Sequence, residues 1–405
     1  MSEPRHRRKA PPTGKQRVLL DDEKVGLRSR ELLLEREVLR TKRRRIGWSL
    51  LAAVVLMGSA VGVSLLTNRN APSASSTIPP PAGAGASAVL AVESESGVVS
   101  VAIAIAHPDL ADQLVLFPPG LITPIPSFGD RELAATVAFG GPELLGLTIT
   151  NTLGIRVDAV AVIEPNELAG LLPESMEIDL PVPLMIEQGG VTAVAEPAGR
   201  HLLGPDRVAR LLYEQGIDDQ LAWLQRQGAV WKALLAWIGE DEARVAKVAR
   251  DDGDGVALTA ALGSVSRDAE LVITGLEVAR IVTAGDTDFY QLSSRVAERY
   301  LADDVPYLQL RPKRPRIEIL NGRGPVVGVT QPVAAQLVRM GFRVVRTDNA
   351  ASVAPETQVI AQGFDNQEVA KEIQQFLGRG AVILEARQPS TVVDITVILG
   401  QDFAN

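Results

Sequence analysis

One uncharged apolar run limits what this chain can be. The segment Ile46 to Leu66, IGWSLLAAVVLMGSAVGVSLL, contains no charged side chain. Its length is close to the roughly 20 apolar residues that a bilayer-spanning helix needs. A secretory signal has a shorter apolar run that lies closer to the N-terminus. We therefore expect an uncleaved signal anchor, with a buried core helix as the alternative.

The charge on either side of this run predicts its orientation. Residues 1–45 carry 15 Lys and Arg against 7 Asp and Glu, whereas the rest of the chain carries 26 against 42. Lys42 to Arg45 precede the run directly and Arg69 follows it, so the positive-inside rule places the N-terminus in the cytoplasm. The sequence predicts a single-pass cell membrane protein whose residues 70–405 are extracytoplasmic.

Composition divides the remaining sequence. Residues 1–17 are rich in Pro and Arg and should be disordered, whereas residues 18–45 have helix formers at helical spacing. This juxtamembrane helix could pair with a partner, lie on anionic lipid or stand as a solvated stalk. The expected segments are a basic tail with the juxtamembrane helix (1–45), a transmembrane helix (46–66), a Pro/Ala/Ser/Gly linker (67–87) and two folded domains (88–312 and 315–405).

The two folded domains show different orders of strand and helix signals. In the first, strands such as AVLAVES, VVSVAIAIA and VDAVAVIEP alternate with helical stretches, and the segment from Asp206 to Lys247 is mostly helical with a break near Gly216. This alternation predicts an α/β/α domain. The second reads strand, helix, strand, strand, helix, strand, strand, which predicts a small α+β domain with two helices over one sheet. The fold class is therefore α/β with a small α+β domain at the C-terminus.

Several kinds of catalytic and metal site are excluded by composition. The chain has no cysteine and three histidines, His6, His107 and His201, without a short metal-ligand spacing. The acidic run from Asp251 to Asp254 lacks the glutamate that closes a calcium-binding EF-hand loop. We therefore expect no metal site and no cofactor.

The C-terminal sequence carries the most specific motif. The strings IEILNGRGPVVGVTQPVAAQLVRMGFRVVRTDNA, TQVIAQG and DITVILGQDF closely resemble the LytR C-terminal domain of actinobacterial cell-envelope proteins. The resemblance implies a binding or docking module without established chemistry. Its glycine-rich turn could cradle an anion at a helix N-terminus or serve as a plain turn, and the plain turn is favoured. The motif positions are Asn321, Gly322, Gly324, Asn349, Asp394, Gly400, Asp402 and Phe403.

The first folded domain resembles a second family. The stretches RELAATVAFGGPELLGLTITNTLGIRVDAVAVIEPNELAGLLP, LLGPDRVARLLYEQGIDDQLAWLQRQGAVWKALLAWI and ARIVTAGDTDFYQLSSRVAERYLADD are similar to LytR-CpsA-Psr domains. Members of that family transfer anionic glycopolymers from polyprenyl-pyrophosphate carriers to peptidoglycan. The family positions retained here are Gly140, Gly141, Arg226 and Gln227.

Most charged positions of that family are replaced in this chain. A pyrophosphate must be held by charge-assisted bonds while its charge is neutralised by a divalent metal. The family's Ser-Ile-Pro-Arg-Asp becomes Leu116 to Gly120, its Lys-Leu-Asn-Ala-Ala becomes Glu132 to Thr136, and its Arg-x-Arg becomes Leu212 to Glu214. Trp223 stands where a further arginine is expected, which leaves Arg226 as the surviving family arginine. We expect a degenerate domain with no catalytic residues.

Three functions remain open at this stage. The first is a membrane-anchored accessory protein or pseudoenzyme of cell-envelope assembly, with an apolar rim formed by Leu114 to Pro126. Its partners would be a cell-wall polymer, a polyprenyl-linked intermediate or another envelope protein. The second is an active glycopolymer phosphotransferase with a diverged site. The third, a transcriptional regulator, is opposed by the acidic extracytoplasmic part, because nucleic-acid binding relies on basic surface.

Overall fold

The computed structural model describes residues 85–95, 97–239, 241–248, 255–268, 270–284, 287–324, 328–385 and 392–403. The predicted basic tail, transmembrane helix and most of the linker lie outside these residues, as does the acidic run at 251–254. Within them, the helical stretch Leu133–Leu153 is long and apolar enough to cross a membrane by length and composition alone. Its Leu145, Ile149 and Leu153 are buried in the protein core, so it packs as a core helix.

Eighteen strands and nine α-helices are assigned within the described residues. The strands are β1 (Ser87–Ser94), β2 (Gly97–Ile105), β3 (Gln113–Phe117), β4 (Leu121–Ile125), β5 (Gly129–Glu132), β6 (Ala159–Ile163), β7 (Met176–Leu180), β8 (Leu184–Gln188), β9 (Val191–Glu196), β10 (Gly199–Leu203), β11 (Val272–Gly275), β12 (Val278–Ala284), β13 (Thr287–Leu292), β14 (Arg316–Asn321), β15 (Arg343–Asn349), β16 (Gln358–Gln362), β17 (Ala381–Glu385) and β18 (Ile395–Leu399). The helices are α1 (Thr136–Leu153), α2 (Pro165–Leu171), α3 (Pro205–Tyr213), α4 (Gln220–Gly239), α5 (Glu242–Val248), α6 (Gly255–Val265), α7 (Ser294–Asp303), α8 (Thr330–Arg339) and α9 (Gln367–Leu377).

A five-stranded sheet in the order β11-β3-β2-β1-β6 forms the centre of the first region. Strands β1, β2 and β3 are sequential antiparallel neighbours, whereas β6 pairs parallel with β1 and β11 pairs parallel with β3. Almost every residue of β1 and β2 is buried, which is why their sequences are continuous apolar runs rather than alternating ones. The α/β fold expected from the sequence is confirmed.

Helices cover both faces of the central sheet. The side chains of one face, which include Ala102, Ala104 and Leu116, share a core with α2, α3, α4 and α6. The alternate side chains, which include Ile103 and Phe117, share a second core with α1 and α7. Because successive side chains of a strand point to opposite faces, α4 and α1 lie on opposite sides of this sheet.

The predicted break in the helical segment after residue 205 is also present. Helix α3 ends at Tyr213, and α4 begins at Gln220. Gly216 between them has φ +73°, and a Cβ there would lie 2.1 Å from the carbonyl oxygen of Met185. This close approach requires glycine at the turn.

The C-terminal residues form a separate five-stranded sheet in the order β15-β14-β18-β16-β17. Strands β16 and β18 are antiparallel and the other pairs are parallel. Helices α8 and α9 share one core with this sheet. All seven elements expected after residue 315 are present in the expected order, whereas the proposed boundary at residues 312–315 stays a prediction.

A smaller sheet has the order β12-β13-β4-β5, and its strands β4 and β5 contact β15 of the C-terminal sheet. The chain passes from the central sheet to this smaller sheet twice, from β3 to β4 and from β11 to β12, each time within a few residues. The ends of β3 and β11 and the start of α4 are therefore close together, and the candidate site lies there.

Candidate functional site

A cleft of about 690 Å³ lies between helix α4 and the β11 edge of the central sheet. Its lining is mainly aliphatic and includes Leu116, Leu224, Ile273 and Leu276. Asp179 and Lys232 add charge to this lining. An apolar cleft with a few polar groups is the usual form of a small-molecule site, so this cleft is the first candidate.

The end of β3 is buried rather than open to ligand. All residues from Leu114 to Gly120 are buried. The turn is closed by hydrogen bonds from the Leu121 N–H to the Pro118 carbonyl (3.0 Å) and from the Ala134 N–H to the Pro119 carbonyl (3.0 Å). Leu116 is the residue of this segment that lines the described cleft, so the expectation of an apolar rim from Leu114 to Pro126 is wrong for most of its length.

Gln220, the first residue of α4, fixes this turn. Its Oε1 accepts a hydrogen bond from the Gly120 N–H (2.9 Å), and its Nε2 donates to the Asp288 carbonyl (3.2 Å). A Cβ at Gly120 would lie 2.5 Å from that same carbonyl. Glycine is therefore required at this position, because the Asp288 carbonyl and the Gln220 side chain approach too closely for a Cβ.

A charged cluster that the sequence did not single out lies beside the cleft. Arg280 Nη2 is 3.1 Å from Asp288 Oδ2 and 3.4 Å from Asp219 Oδ2, and the Tyr290 hydroxyl donates to Asp288 Oδ2 at 3.3 Å. Arg280 follows the cleft residue Val278 on β12 by two positions. The segment ARIVTAGDTDFY, quoted above only as a family resemblance, contained three of these four residues.

Two carboxylates near one half-exposed arginine leave this cluster with a net negative charge. Its acids do not form a metal-ligand group, since among the described residues no three His, Cys, Asp or Glu side chains come together. The two carboxylates can hold Arg280 in place, two positions along β12 from the cleft residue Val278.

Arg226 is wholly buried, and both terminal nitrogens of its guanidinium are bonded within the protein, whereas its buried Nε has no hydrogen-bond partner among the described residues. Nη1 donates to the Pro183 carbonyl (2.8 Å) and to Asp218 Oδ2 (2.7 Å), and Nη2 donates to the Gln215 carbonyl (2.7 Å). These bonds join α4 to the loop before it and to the start of β8. The family arginine thus acts as a structural tie, and its side chain does not face the solvent.

Gln227 has the same kind of role on the next position of α4. It is fully buried, and its Nε2 donates to the carbonyls of Val99 (2.9 Å) and Leu212 (2.8 Å). The side chain therefore ties α4 to strand β2 and to the end of α3.

Gly140 and Gly141 interrupt α1 near its start. Gly141 has φ +71° and ψ −170°, outside the helical region, and Pro142 begins the straight part of the helix. Because α1 and α4 pack on opposite faces of the central sheet, the structure does not bring this pair together with Arg226 and Gln227.

Two aspartates of the C-terminal motif hold strands in register. Asp394 receives bonds from the Arg316 N–H (2.7 Å), Nε (3.0 Å) and Nη2 (2.8 Å), which join the starts of β14 and β18. Burial acts to raise the pKa of Asp394, but the bonds from Arg316 outweigh it and the pKa lies below its usual range. Asp402 Oδ1 accepts from the N–H and the hydroxyl of Thr357, each at 2.7 Å.

Asn321 is used inside the glycine-rich turn. Its Nδ2 donates to the Gly324 carbonyl (2.9 Å) and to Asn349 Oδ1 (3.2 Å), and its Oδ1 accepts from the Arg323 N–H (3.1 Å). A Cβ at Gly322 would meet Ile398 Cγ2 at 2.9 Å. These contacts are typical of a plain strand-to-loop turn, the favoured of the two readings.

The remaining motif positions close the same end of the sheet. A Cβ at Gly400 would lie 2.2 Å from the backbone carbon of Glu356. Phe403 packs partly buried against the C-terminal core, with the Arg379 guanidinium 5.7 Å from its ring centre. The structure therefore groups Asn321, Asn349, Gly400 and their neighbours at one end, whereas Asp394 lies at the other.

Comparisons with known proteins were made for sequence and for fold. No curated protein matches the sequence significantly. The family model described as "LytR cell envelope-related transcriptional attenuator" matches residues 314–403.

Several solved structures resemble just over half of this chain. TagV of B. subtilis is 13% identical and covers 55% of this chain and 97% of its own, with a TM-score of 0.44. The LytR-Csp2A-Psr enzyme from Actinomyces oris is 18% identical and covers 56% of this chain and 91% of its own, with a TM-score of 0.43. TagT of B. subtilis, solved with bound octaprenyl pyrophosphate lipid, is 15% identical. It covers 55% of this chain and 90% of its own, with a TM-score of 0.41.

At these identities the likeness concerns the fold. The sequence match is the more specific finding, because it spans the whole C-terminal sheet and both of its helices. Residues 314–403 therefore match the LytR family model, and the solved structures that resemble this chain include a LytR-Csp2A-Psr enzyme.

Proposed function

We propose that this protein is a membrane-anchored, extracytoplasmic accessory protein of cell-envelope assembly, a pseudoenzyme that binds a lipid-linked intermediate without transferring it. Residues 46–66 would anchor it with the N-terminus in the cytoplasm. Residues 88–312 would hold the apolar chain of the ligand, and the LytR C-terminal domain would contact cell-wall polymer or another envelope protein.

The observation that carries this proposal is the state of Arg226. A pyrophosphate needs guanidinium groups that face it with free N–H donors. Both Nη atoms of Arg226 instead bond to Pro183, Asp218 and Gln215, and the side chain has no exposed surface. A ligand would have to break these three bonds to reach the family arginine.

The lining of the cleft supports an apolar ligand. Burying an alkyl or prenyl chain against Leu224, Ile273 and Leu276 would contribute roughly 25 cal/mol per Å² of apolar surface. Lys232 lines the same cleft and makes no ion pair within the described residues. Its ammonium group could therefore hold a phosphate at the end of the chain.

A diverged but active transferase is the second candidate. It is favoured by the cluster of Arg280, Asp219 and Asp288 beside the cleft, which supplies a cation and two carboxylates from positions outside the family pattern. A transcriptional role has less support, because residues 46–405 carry a net negative charge and would repel nucleic acid.

Activity separates the first two candidates. The full chain in detergent would be incubated with Mg²⁺ and a polyprenyl-pyrophosphate-linked glycan analogue, beside an active relative as positive control. We expect no phosphate or pyrophosphate release above the protein-free background. Turnover comparable to that of the control would overturn the pseudoenzyme proposal and direct attention to Arg280.

Ligand binding tests the cleft itself. Native mass spectrometry of the full chain with a polyprenyl phosphate should show a one-to-one complex. Ala229→Trp would fill the cleft from α4 and should abolish that complex, whereas the control Ala198→Trp, in an exposed loop, should leave it unchanged. Equal binding by both variants would contradict the assignment of the ligand to this cleft.

A further inference from the structure

One buried amide links helix α1 to the LytR C-terminal domain. Asn151 on α1 has no exposed surface. Its Oδ1 accepts from the Val344 N–H (2.8 Å), and its Nδ2 donates to the Val344 carbonyl (2.8 Å) and to the Pro124 carbonyl (2.9 Å). Both amide hydrogens and the amide oxygen are therefore bonded to backbone, in two different sheets.

Val344 belongs to β15, the edge strand of the C-terminal sheet. An edge strand presents N–H and C=O groups without a neighbouring strand. Asn151 bonds both groups of the same residue, as the backbone of a paired strand would. We propose that Asn151 is a positioning residue that stands in for a neighbouring strand at β15 and holds the LytR C-terminal domain in one orientation on α1.

The surrounding contacts are also directional. Arg314, from the C-terminal domain, donates to the carbonyls of Asn151 (2.6 Å) and Thr150 (3.3 Å) at the end of α1, where the helix dipole favours a cation. Arg343 Nη1 donates to the Ser294 hydroxyl of α7 (2.6 Å). Hydrogen bonds of this kind fix orientation, because they weaken steeply when their angles change.

The same contacts carry an electrostatic cost. Burial, together with the nearby charge of Arg343, lowers the pKa of Arg314 to about 10, and burial lowers the pKa of Arg343 as well. Two partly desolvated guanidinium groups of like charge do not make an interface strong. Neutral, fully bonded Asn151 is the group that can specify the orientation without adding to this cost.

The position of the link determines what the C-terminal domain can do. It packs on α1, β4 and β5, whereas the cleft lies beside α4 on the other face of the central sheet. The domain is therefore not a lid over the cleft. Both surfaces can be occupied at once, which suits a protein that connects two partners.

The absence of cysteine permits a direct test on the full chain. Spin labels at Glu174→Cys and Glu368→Cys, both exposed, report the distance between the α/β region and the C-terminal domain. The labelled protein that keeps Asn151 should give one narrow distance distribution from about pH 5 to about pH 9. In Asn151→Asp the charged carboxylate would face the Val344 and Pro124 carbonyls, so the narrow peak should be lost at alkaline pH.

Protonation distinguishes a positioning role from a general packing defect. Once neutral, the carboxyl introduced by Asn151→Asp can again donate to a carbonyl and accept from the Val344 N–H. Burial raises a carboxyl pKa, so the narrow peak should return as the pH falls. Asn166→Asp on exposed α2 is the matched control and should keep the narrow peak throughout. A narrow peak in Asn151→Asp at every pH, in a chain whose circular dichroism shows it folded, would overturn the proposal.

Discussion

The two faces of the central sheet are packed differently, although the same strands supply both. On the α1 face, β2 contributes Val101, Ile103 and Ile105, and the core is filled by side chains from α1 and α7. On the α4 face, the alternate residues include Ala102 and Ala104. The cleft lies on this side, between α4 and β11.

This difference separates two tasks within one fold. Gly228 of α4 lines the cleft, and a Cβ there would lie 2.9 Å from Leu116 Cδ1, so the Leu116 side chain would have to move to admit one. Elsewhere along the same helix Leu224, Ala229 and Lys232 face the cleft. The α1 face carries the C-terminal domain. One face therefore offers space for a ligand, and the other offers a rigid platform.

The largest expected effect concerns the buried tie on the α4 face. Arg226→Met removes three hydrogen bonds and leaves Asp218 without its partner, so the free energy of unfolding should fall by roughly 3–5 kcal/mol. Urea unfolding followed by tryptophan fluorescence measures this, since three of the four tryptophans lie in α4. Arg200→Met, at an exposed ion pair, is the control and should cost less than about 1 kcal/mol. Equal effects would mean that Arg226 is not a tie and would reopen a ligand-binding role.

A matched pair of truncations compares the packing of the two faces. Ile103→Ala, fully buried on the α1 face, should lower the free energy of unfolding by about 2–5 kcal/mol because it leaves a cavity. Ile273→Ala, at the partly open cleft, should lower it by about 1 kcal/mol because less surface is returned to water. Both values come from the same urea titration. Similar losses would indicate that the cleft is as tightly packed as the opposite face.

The smallest expected effect concerns one polar bond on the α1 face. Tyr300 donates to Gln113 Oε1 at 2.9 Å, so Tyr300→Phe should cost about 1 kcal/mol at neutral pH. Burial raises the pKa of Tyr300, so its contribution is complete below the ordinary tyrosine value of about 10 and is lost as the pH rises above it. The difference between the two proteins should therefore shrink in alkaline urea titrations. Ile103→Ala, which removes no titratable group, is the control, and its effect should not depend on pH in this way.

The order of the elements could be predicted from the sequence because it depends on local signals. The continuous apolar runs of β1 and β2, the break at Gly216 and the seven C-terminal elements all follow from spacing and turn residues within a few positions. The C-terminal motif was sufficient to identify that domain. The sequence could not predict that the Arg226 guanidinium points into the protein, because loop packing brings its partners Pro183, Gln215 and Asp218 to it.

The sequence by itself determined the fold class and the match to the LytR family model, since these depend on which residues are present and how they are spaced. The tertiary structure alone decided that Gln220 accepts a hydrogen bond from the Gly120 N–H and that Arg280 forms ion pairs with Asp219 and Asp288. It also decided that Asn151 bonds to Val344, 193 residues away. Local propensity cannot encode these contacts. They exist because the packing of distant elements fixes which polar groups are buried together and must bond to one another.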